Sequence, residues 1–191
     1  MTPRLKLLSE EVVRWALEVK LQRGSTWKIA FTNPTAGPWK RVMAENSKGK
    51  LGEIHRFEID EKRPDLIIYS DVHKTVVIVE AKTDISGLQN SDQVLKTSSL
   101  FTSLSEMLRQ KGANEYWGSR AAYSYQLGLL WSKKRETSRD VAELANEYLM
   151  RINSGVSDIL CFQGRLSDGT LKHEIFWAKR KKAINLDDYQ S

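Results

Sequence analysis

Residues that build disulfides and zinc sites are scarce in this sequence. Its 191 residues include one cysteine, Cys161, and three histidines, His55, His73 and His173. A single cysteine cannot close an internal disulfide or supply a cysteine-rich zinc site, and the histidines are too scattered for a metal-ligand motif. Cys161 lies in the apolar segment DILCFQG. We therefore expect a buried structural thiol there and not a nucleophile.

Long hydrophobic runs and several common catalytic motifs are also missing from the sequence. No apolar run approaches the roughly 20 residues that a membrane-spanning helix needs. The N-terminal residues MTPRLKLLSEEVVRW turn acidic where a signal peptide would carry its apolar stretch. The sequence has no glycine-rich phosphate loop, Cys-x-x-Cys pair or Gly-x-Ser-x-Gly elbow. These features predict a cytoplasmic protein without a membrane partner.

The composition is that of an ordinary globular protein with a basic surface. Hydrophobic residues make up 40% of the chain and charged residues 28%, and there is no repeat or linker, so residues 1–191 are expected to form one domain. Lys and Arg total 30 against 24 Asp and Glu, and the net charge of +6 is compatible with a polyanionic partner. Two basic clusters are candidate phosphate contacts, although such clusters are more often solvated surface. They contain Lys133, Lys134, Arg135, Lys179, Arg180, Lys181 and Lys182.

The pattern of apolar residues predicts an α/β fold. A helix is predicted from Ser9 to about Arg23, with a broad apolar face that includes Val12 and Val13, and the segment FTNPTAGPWK is predicted to be a loop. Two strands rich in Ile and Val follow, over residues 66–69 and 75–81. Helix, strand, helix and two strands then follow, over residues 91–111, 121–132, 137–155, 157–164 and 173–180. The expected fold is a central mixed β-sheet flanked by helices.

The two central strands lie in the segment RPDLIIYSDVHKTVVIVEAKTD, residues 63–84, and are predicted to form an antiparallel hairpin. If the turn is centred between residues 72 and 73, paired residues have numbers that sum to about 145, so Asp65 lies opposite Glu80. Glu80 and Lys82 are two residues apart and share a face of the sheet, while Ala81 points to the other side. Three charged side chains are thus expected to meet at one end of the hairpin.

This arrangement of charges is typical of a site that binds a divalent cation. Two neighbouring carboxylates repel each other unless a cation or a proton lies between them. Mg²⁺ prefers oxygen ligands, which Asp65, Glu80 and the backbone carbonyl of Ala81 would provide. Lys82 would then position or deprotonate the attacking water at a phosphodiester. The alternative is a surface salt-bridge cluster at the edge of a sheet, which would contribute little to stability.

Pro64-Asp65 and Glu80-Ala81-Lys82, together with the strand patterns LIIYS and TVVIVEAK, resemble the signature of the PD-(D/E)xK nuclease superfamily. The resemblance implies a restriction-endonuclease-like core in which Asp65 and Glu80 bind the metal and Lys82 is the catalytic lysine. The motif covers roughly residues 52–96, and elsewhere the resemblance rests on the order of elements.

The same resemblance implies auxiliary residues. Many members add a carboxylate from an upstream helix, and Glu53 is the candidate here, with Glu45 and Glu58 as alternatives. Some members also carry a glutamine on the helix after the lysine, and Gln93 or Gln89 would fill that place.

A narrower resemblance concerns the type of nuclease. The length of the chain, the lack of a separate DNA-reading module and the series Glu53, Asp65, Glu80, Lys82 look like the small cleavage subunit of a heterodimeric type IIS restriction endonuclease. In that family a large subunit recognises an asymmetric site and cuts one strand, and the small subunit docks and cuts the other. The alternatives are a homodimeric restriction enzyme, a structure-specific resolvase or repair nuclease, and a non-catalytic binding module with a nuclease-like fold.

Overall fold

A six-stranded mixed β-sheet dominates the part of the chain that the computed structural model describes, which comprises residues 10–22, 25–32, 64–82, 91–110, 118–132, 141–151, 156–167, 170–180 and 183–189. Three α-helices accompany the sheet within these residues. In chain order the elements are α1 (Glu10–Gln22), β1 (Trp27–Thr32), β2 (Leu66–Ser70), β3 (Thr75–Lys82), α2 (Ser91–Gln110), β4 (Ser124–Ser132), α3 (Val141–Arg151), β5 (Ile159–Ser167) and β6 (Thr170–Trp177).

The strands follow one another across the sheet in chain order, and two kinds of connection join them. β1, β2 and β3 form an antiparallel meander, β3, β4 and β5 are parallel, and β6 returns antiparallel to β5. A parallel pair needs a long crossover connection, and α2 and α3 lie in the two crossovers between β3 and β5. This confirms the predicted α/β fold with a central mixed sheet.

Both faces of the central strands are buried. On the face called here the α1 face, Leu66, Ile68, Val77 and Val79 pack with apolar side chains of α1. On the opposite face, called the α2/α3 face, the alternating residues of the same strands pack with side chains of α2 and α3. Burial on both faces explains why β2 and β3 have nearly continuous apolar sequences and not an alternating pattern.

Helix α1 lies close to the sheet because of one glycine. Val13, Leu17 and Leu21, spaced four residues apart, form its buried face. Gly164 lies beneath it, where an added Cβ would come within 2.8 Å of a Val13 methyl group. The prediction that Val12 belongs to the apolar face is wrong, since Val12 is 40% exposed.

Sequence reasoning also missed strand β1. Its residues Trp27–Thr32 pair antiparallel with β2, so the first two residues of the predicted loop FTNPTAGPWK belong to a strand. The other strand predictions differ from the elements at their ends. The predicted strand 121–132 starts three residues before β4, and β6 begins at Thr170 and not at His173. Among the described residues, no helix combines the length and the apolar character that crossing a bilayer requires.

Candidate active site

The register of the β2–β3 hairpin is the predicted one. Leu66 pairs with Val79 and Ile67 with Ile78, so the residue numbers of each pair sum to 145. Glu80 and Lys82 follow Val76 and Ile78 on the α2/α3 face, because side chains alternate along a strand. Asp65, which immediately precedes β2, reaches the same end of the hairpin. The predicted cluster of three charges therefore forms.

Asp65 is held by the backbone of the neighbouring strand and by a buried arginine. Its Oδ2 accepts a hydrogen bond of 2.8 Å from the backbone N–H of Ala81. Its Oδ1 lies 3.6 Å from Nη1 of Arg14, whose side chain is only 4% exposed. The hydrogen bond from Ala81 holds the carboxylate in one orientation, which a metal ligand or a catalytic group needs.

Glu80 and Lys82 form a short ion pair on β3. Nζ of Lys82 lies 2.5 Å from Oε1 of Glu80, and both side chains are less than one-fifth exposed. Burial and the negative charge of Asp65 together raise the pKa of Glu80 to about 7, although the ammonium of Lys82 opposes both effects in part. When Glu80 is protonated, its carboxyl also hydrogen-bonds with Asp65. Near neutral pH the ammonium of Lys82 alone therefore does not offset the negative charges of Asp65 and Glu80.

The donor set fits a hard divalent cation. Asp65 and Glu80 are close enough for the charge of one to raise the pKa of the other, as expected where a cation would lie between them. In an extended strand the N–H and C=O of one residue point to the same side, so the carbonyl of Ala81 lies on the β2 side of β3, as its N–H does. Oxygen ligands of this kind suit Mg²⁺. Within the described residues, no group of three His, Cys, Asp or Glu side chains is close enough to bind a metal ion on its own.

Sequence reasoning missed a second charged cluster beside Asp65. Oε1 of Glu18 lies 3.6 Å from Nε of Arg14 and accepts a 2.7 Å hydrogen bond from the hydroxyl of Thr32. Burial raises the pKa of Glu18, although Thr32 and Arg14 counteract it. Arg14 and Glu18 each follow a buried apolar residue on α1, which is the one signal in the sequence that places them near the core.

Tyr148 of α3 borders the site from the helical side and was also missed. Its side chain is 2% exposed. Burial raises the pKa of its hydroxyl, and the charge of Glu80 adds to this rise. Glu80 therefore lies close enough to this buried hydroxyl to interact with it electrostatically, and its own burial is the main reason why its ionisation is disfavoured.

Several predicted site residues lie outside the described part of the chain. These are Glu53 with its alternatives Glu45 and Glu58, Gln89, and the basic residues Lys133, Lys134, Arg135, Lys181 and Lys182. Gln93 lies in the first turn of α2, the helix that follows Lys82, and its side chain is not among those described.

Two of the predicted basic contacts are placed away from the charge cluster. Lys179 and Arg180 are exposed, and the backbone N–H of Lys179 donates to Asp158, which precedes β5. Lys82 pairs with Trp131 on β4, and Trp131 pairs with Gln163 on β5. Asp158 is five residues before Gln163, or roughly 17 Å along the strand. The structure therefore does not bring these two basic residues to the charge cluster.

Cys161 lies in the core, as the sequence predicted. The residue is 0% exposed, and burial together with the charge of Asp158 raises the pKa of its thiol well above its usual value. A thiol is a weak nucleophile until it ionises. Cys161 is therefore a packing residue on the α2/α3 face.

The chain was also compared with known proteins. No protein-family model, curated protein or solved structure matches it significantly. The assignment of function therefore depends on the side-chain chemistry of the hairpin and its surroundings.

Proposed function

We propose that this protein is a metal-dependent endodeoxyribonuclease with a restriction-endonuclease-like core. The observation that carries the proposal is the convergence of Asp65, Glu80 and Lys82 at one end of a buried hairpin, where burial and the charge of Asp65 raise the pKa of Glu80 to about 7. A surface salt-bridge cluster does not require a second carboxylate or partial burial of all three groups. Outside the motif, the order of helices and strands along the chain supports the resemblance to the PD-(D/E)xK superfamily.

Each charged residue has a role in phosphodiester hydrolysis. Asp65, Glu80 and the carbonyl of Ala81 would hold Mg²⁺, which supplies neutralisation of phosphate charge and a lower pKa for a nearby water. The ammonium of Lys82 would orient that water and offset the charge of the scissile phosphate, while the proton of the water passes to solvent. The new bond joins the water oxygen to phosphorus, the bond from phosphorus to the leaving oxygen breaks, and the leaving oxygen takes a proton from solvent. The rigid strand pair keeps these groups in register.

The nearest biological role is that of the small cleavage subunit of a type IIS restriction endonuclease in the cytoplasm. One charge cluster of this kind suits cleavage of one strand, and the described residues do not bring Lys179 or Arg180 to it. DNA recognition would then come from a large partner subunit, which would position the duplex on this chain. A homodimeric restriction enzyme and a resolvase or repair nuclease remain the rival assignments, and the partner experiments below distinguish them.

The central experiment measures nicking of supercoiled plasmid by the purified chain. It is done at low ionic strength, where phosphate contacts are strongest, with and without Mg²⁺. We expect slow nicking that requires Mg²⁺ and is lost in Asp65→Asn and in Glu80→Gln. Asp71→Asn is the matched control, because Asp71 lies in the turn at the opposite end of the same hairpin, where it pairs with Arg120. The control should retain the wild-type rate.

The proposal is rejected if the wild-type chain does not nick DNA under these conditions at any protein concentration. It is also rejected if Asp65→Asn and Glu80→Gln nick as fast as the wild type, because the activity would then come from another site or from a contaminant. A non-catalytic binding module would bind the plasmid without cutting it.

A further inference from the structure

Arg14 lies at equal distance from two carboxylates, one buried and one partly exposed. Its Nη1 is 3.6 Å from Oδ1 of Asp65, and its Nε is 3.6 Å from Oε1 of Glu18. The side chains of Arg14 and Glu18 are each 4% exposed, whereas that of Asp65 is 21% exposed. One guanidinium, with a single positive charge, is therefore shared between a carboxylate inside the core and another at the edge of the candidate site.

Neither pairing is tight. Direct hydrogen bonds between arginine and carboxylate are usually about 2.7–2.9 Å long, so both distances exceed the favoured value. The bidentate pair of Arg120 and Asp71 in the same protein shows the closer geometry, with distances of 3.0 and 3.1 Å. Arg14 is thus placed where a small movement would strengthen one pairing and weaken the other.

The two carboxylates differ in what else can neutralise them. Glu18 accepts a hydrogen bond from the hydroxyl of Thr32 in the core, so its carboxylate stays beside Arg14 whether or not a cation is bound at Asp65. Asp65 faces Glu80 and is one of the two carboxylates where a cation would bind under the proposed function. A cation at Asp65 would repel the guanidinium, and Glu18 is a second carboxylate within reach of it.

We propose that Arg14 is a positioning residue that neutralises Asp65 when no divalent cation is bound and shifts to Glu18 when one binds. Glu18 thereby sets the affinity for the cation without touching it. This inference rests on the proposed function, since it concerns the cation that Asp65 and Glu80 would hold. Its consequence is that α1, which packs on the opposite face of the sheet from Glu80, is energetically coupled to the site.

The coupling predicts whether each variant raises or lowers the affinity for Mg²⁺. In Arg14→Met the competitor for Asp65 is gone, and the affinity for Mg²⁺ should rise about tenfold. In Glu18→Gln the guanidinium loses its alternative charged partner and stays with Asp65, so the affinity should fall by a similar factor. These opposite changes alone do not prove an exchange, because removing any nearby positive or negative charge would alter cation affinity in the same directions.

A double-mutant cycle separates exchange from simple electrostatics. If Glu18 acts through Arg14, then Glu18→Gln has no further effect once Arg14 is methionine, and Arg14→Met/Glu18→Gln binds Mg²⁺ as tightly as Arg14→Met. If Glu18 acts by its charge alone, the two effects add. The double variant also avoids an unpaired buried carboxylate, so it keeps the test valid even if Arg14→Met alone folds poorly. If the double variant binds Mg²⁺ about tenfold more tightly than wild type, the exchange is supported. If it binds Mg²⁺ as tightly as wild type or more weakly, the exchange is overturned.

The experiment is calorimetric titration of each full-length variant with MgCl₂ at pH 8, with unfolding curves recorded in parallel. Arg120→Met is the matched control, because it removes a comparable arginine–aspartate pair at the far end of the hairpin. It should lower stability and leave the affinity for Mg²⁺ unchanged. Additive effects of Arg14→Met and Glu18→Gln would overturn the exchange while the proposed function stands. Absence of Mg²⁺ binding to the wild type would reject the proposed function and the exchange together.

Discussion

The backbone N–H of Ala81 donates a 2.8 Å hydrogen bond to Oδ2 of Asp65, and this bond extends the β2–β3 ladder by one side chain. Beyond Leu66 the backbone of β2 no longer pairs with β3, so the carboxylate of Asp65 takes the place of a backbone acceptor. The same bond fixes the distance between Asp65 and the residues that flank Ala81 on β3. Strand pairing and the geometry of the charge cluster are therefore one structural feature.

The raised pKa of Glu80 predicts how stability depends on pH. Its carboxyl has a pKa of about 7 in the folded protein against an ordinary value of 4.5, so the folded state binds the proton more tightly. The contribution of this group to stability is fully present below pH 4.5 and is lost as the pH rises through 7. Glu80→Gln, which is never charged, should be more stable than wild type at pH 8 by on the order of 1–3 kcal/mol.

Urea unfolding of wild type and Glu80→Gln at pH 5 and pH 8 tests this prediction, and the advantage of the variant should shrink at pH 5. Asp71→Asn provides the contrast. The pKa of Asp71 is lowered, because the hydrogen bonds from Arg120 and Tyr123 and nearby positive charges outweigh the effect of desolvation. Removing that carboxylate should destabilise the protein at pH 8. Equal destabilisation by both variants would contradict the assignment of Glu80.

Lys82 is expected to affect the rate of cleavage far more than DNA affinity. Its ammonium lies against Glu80 and is mostly buried, so few of its contacts are available to a distant phosphate. Lys82→Met should lower the single-turnover rate by at least about 100-fold, the usual contribution of a positioned acid or base, and change the Kd for DNA little.

The matched control for this variant is Lys179→Met, which removes an exposed lysine at the other end of the sheet. It should leave the single-turnover rate unchanged. If binding and cleavage fall in equal proportion in Lys82→Met, Lys82 is an ordinary phosphate contact and its catalytic role is wrong.

The sequence alone predicted the β2–β3 hairpin and its register, but it did not predict strand β1 or the buried Arg14 beside the hairpin. The uninterrupted Ile and Val runs of β2 and β3, separated by a short polar turn, define a pairing register, and that register places Glu80 beside Asp65. Strand β1 escaped detection because its six residues run directly into a proline-containing segment that resembles a loop. Arg14 was missed because a charged residue on a helix is normally solvated, and only tertiary packing reveals that this one is buried.

His173 provides a second prediction about pH, with the opposite sign. Its Nε2 lies 3.1 Å from the carbonyl oxygen of Val13 on α1, and the neutral ring can donate a hydrogen bond there. Burial, aided by the charge of Lys20, lowers the pKa of His173 to about 4, although the hydrogen bond with Val13 opposes this shift. The unfolded state therefore binds more protons between pH 6.5 and 4, and stability from this group is lost as the pH falls through that range.

His173→Gln keeps a donor for the carbonyl of Val13 but cannot titrate. Its stability relative to wild type should therefore improve as the pH falls from 6.5 to 4, which chemical unfolding at several pH values will show. A constant difference between the two proteins across this range would mean that His173 does not titrate in the predicted way.

The dependence on a partner is the prediction with the widest biological consequence. Within the described residues, the charge cluster lies at one end of the sheet and the exposed pair Lys179 and Arg180 near the other. Phosphate contacts alone give dissociation constants of about 10⁻⁴ to 10⁻⁶ M at physiological salt, with a steep dependence on salt. We therefore expect the isolated chain to bind DNA weakly, without sequence preference, and to cut little at physiological salt with Mg²⁺.

A large subunit that recognises an asymmetric site should change both properties, because it would raise the local concentration of DNA at the charge cluster and fix the strand that is presented to Lys82. The test compares gel-shift affinity and strand-resolved cleavage for the chain alone and with candidate large subunits. Cleavage of one defined strand near the partner's site, lost when this chain carries Glu80→Gln, is the expected result. Tight sequence-specific binding or specific double-strand cutting by the chain alone would contradict the subunit assignment and favour a homodimeric restriction enzyme. Cleavage that follows branched or damaged DNA and ignores sequence would instead favour a resolvase or repair nuclease.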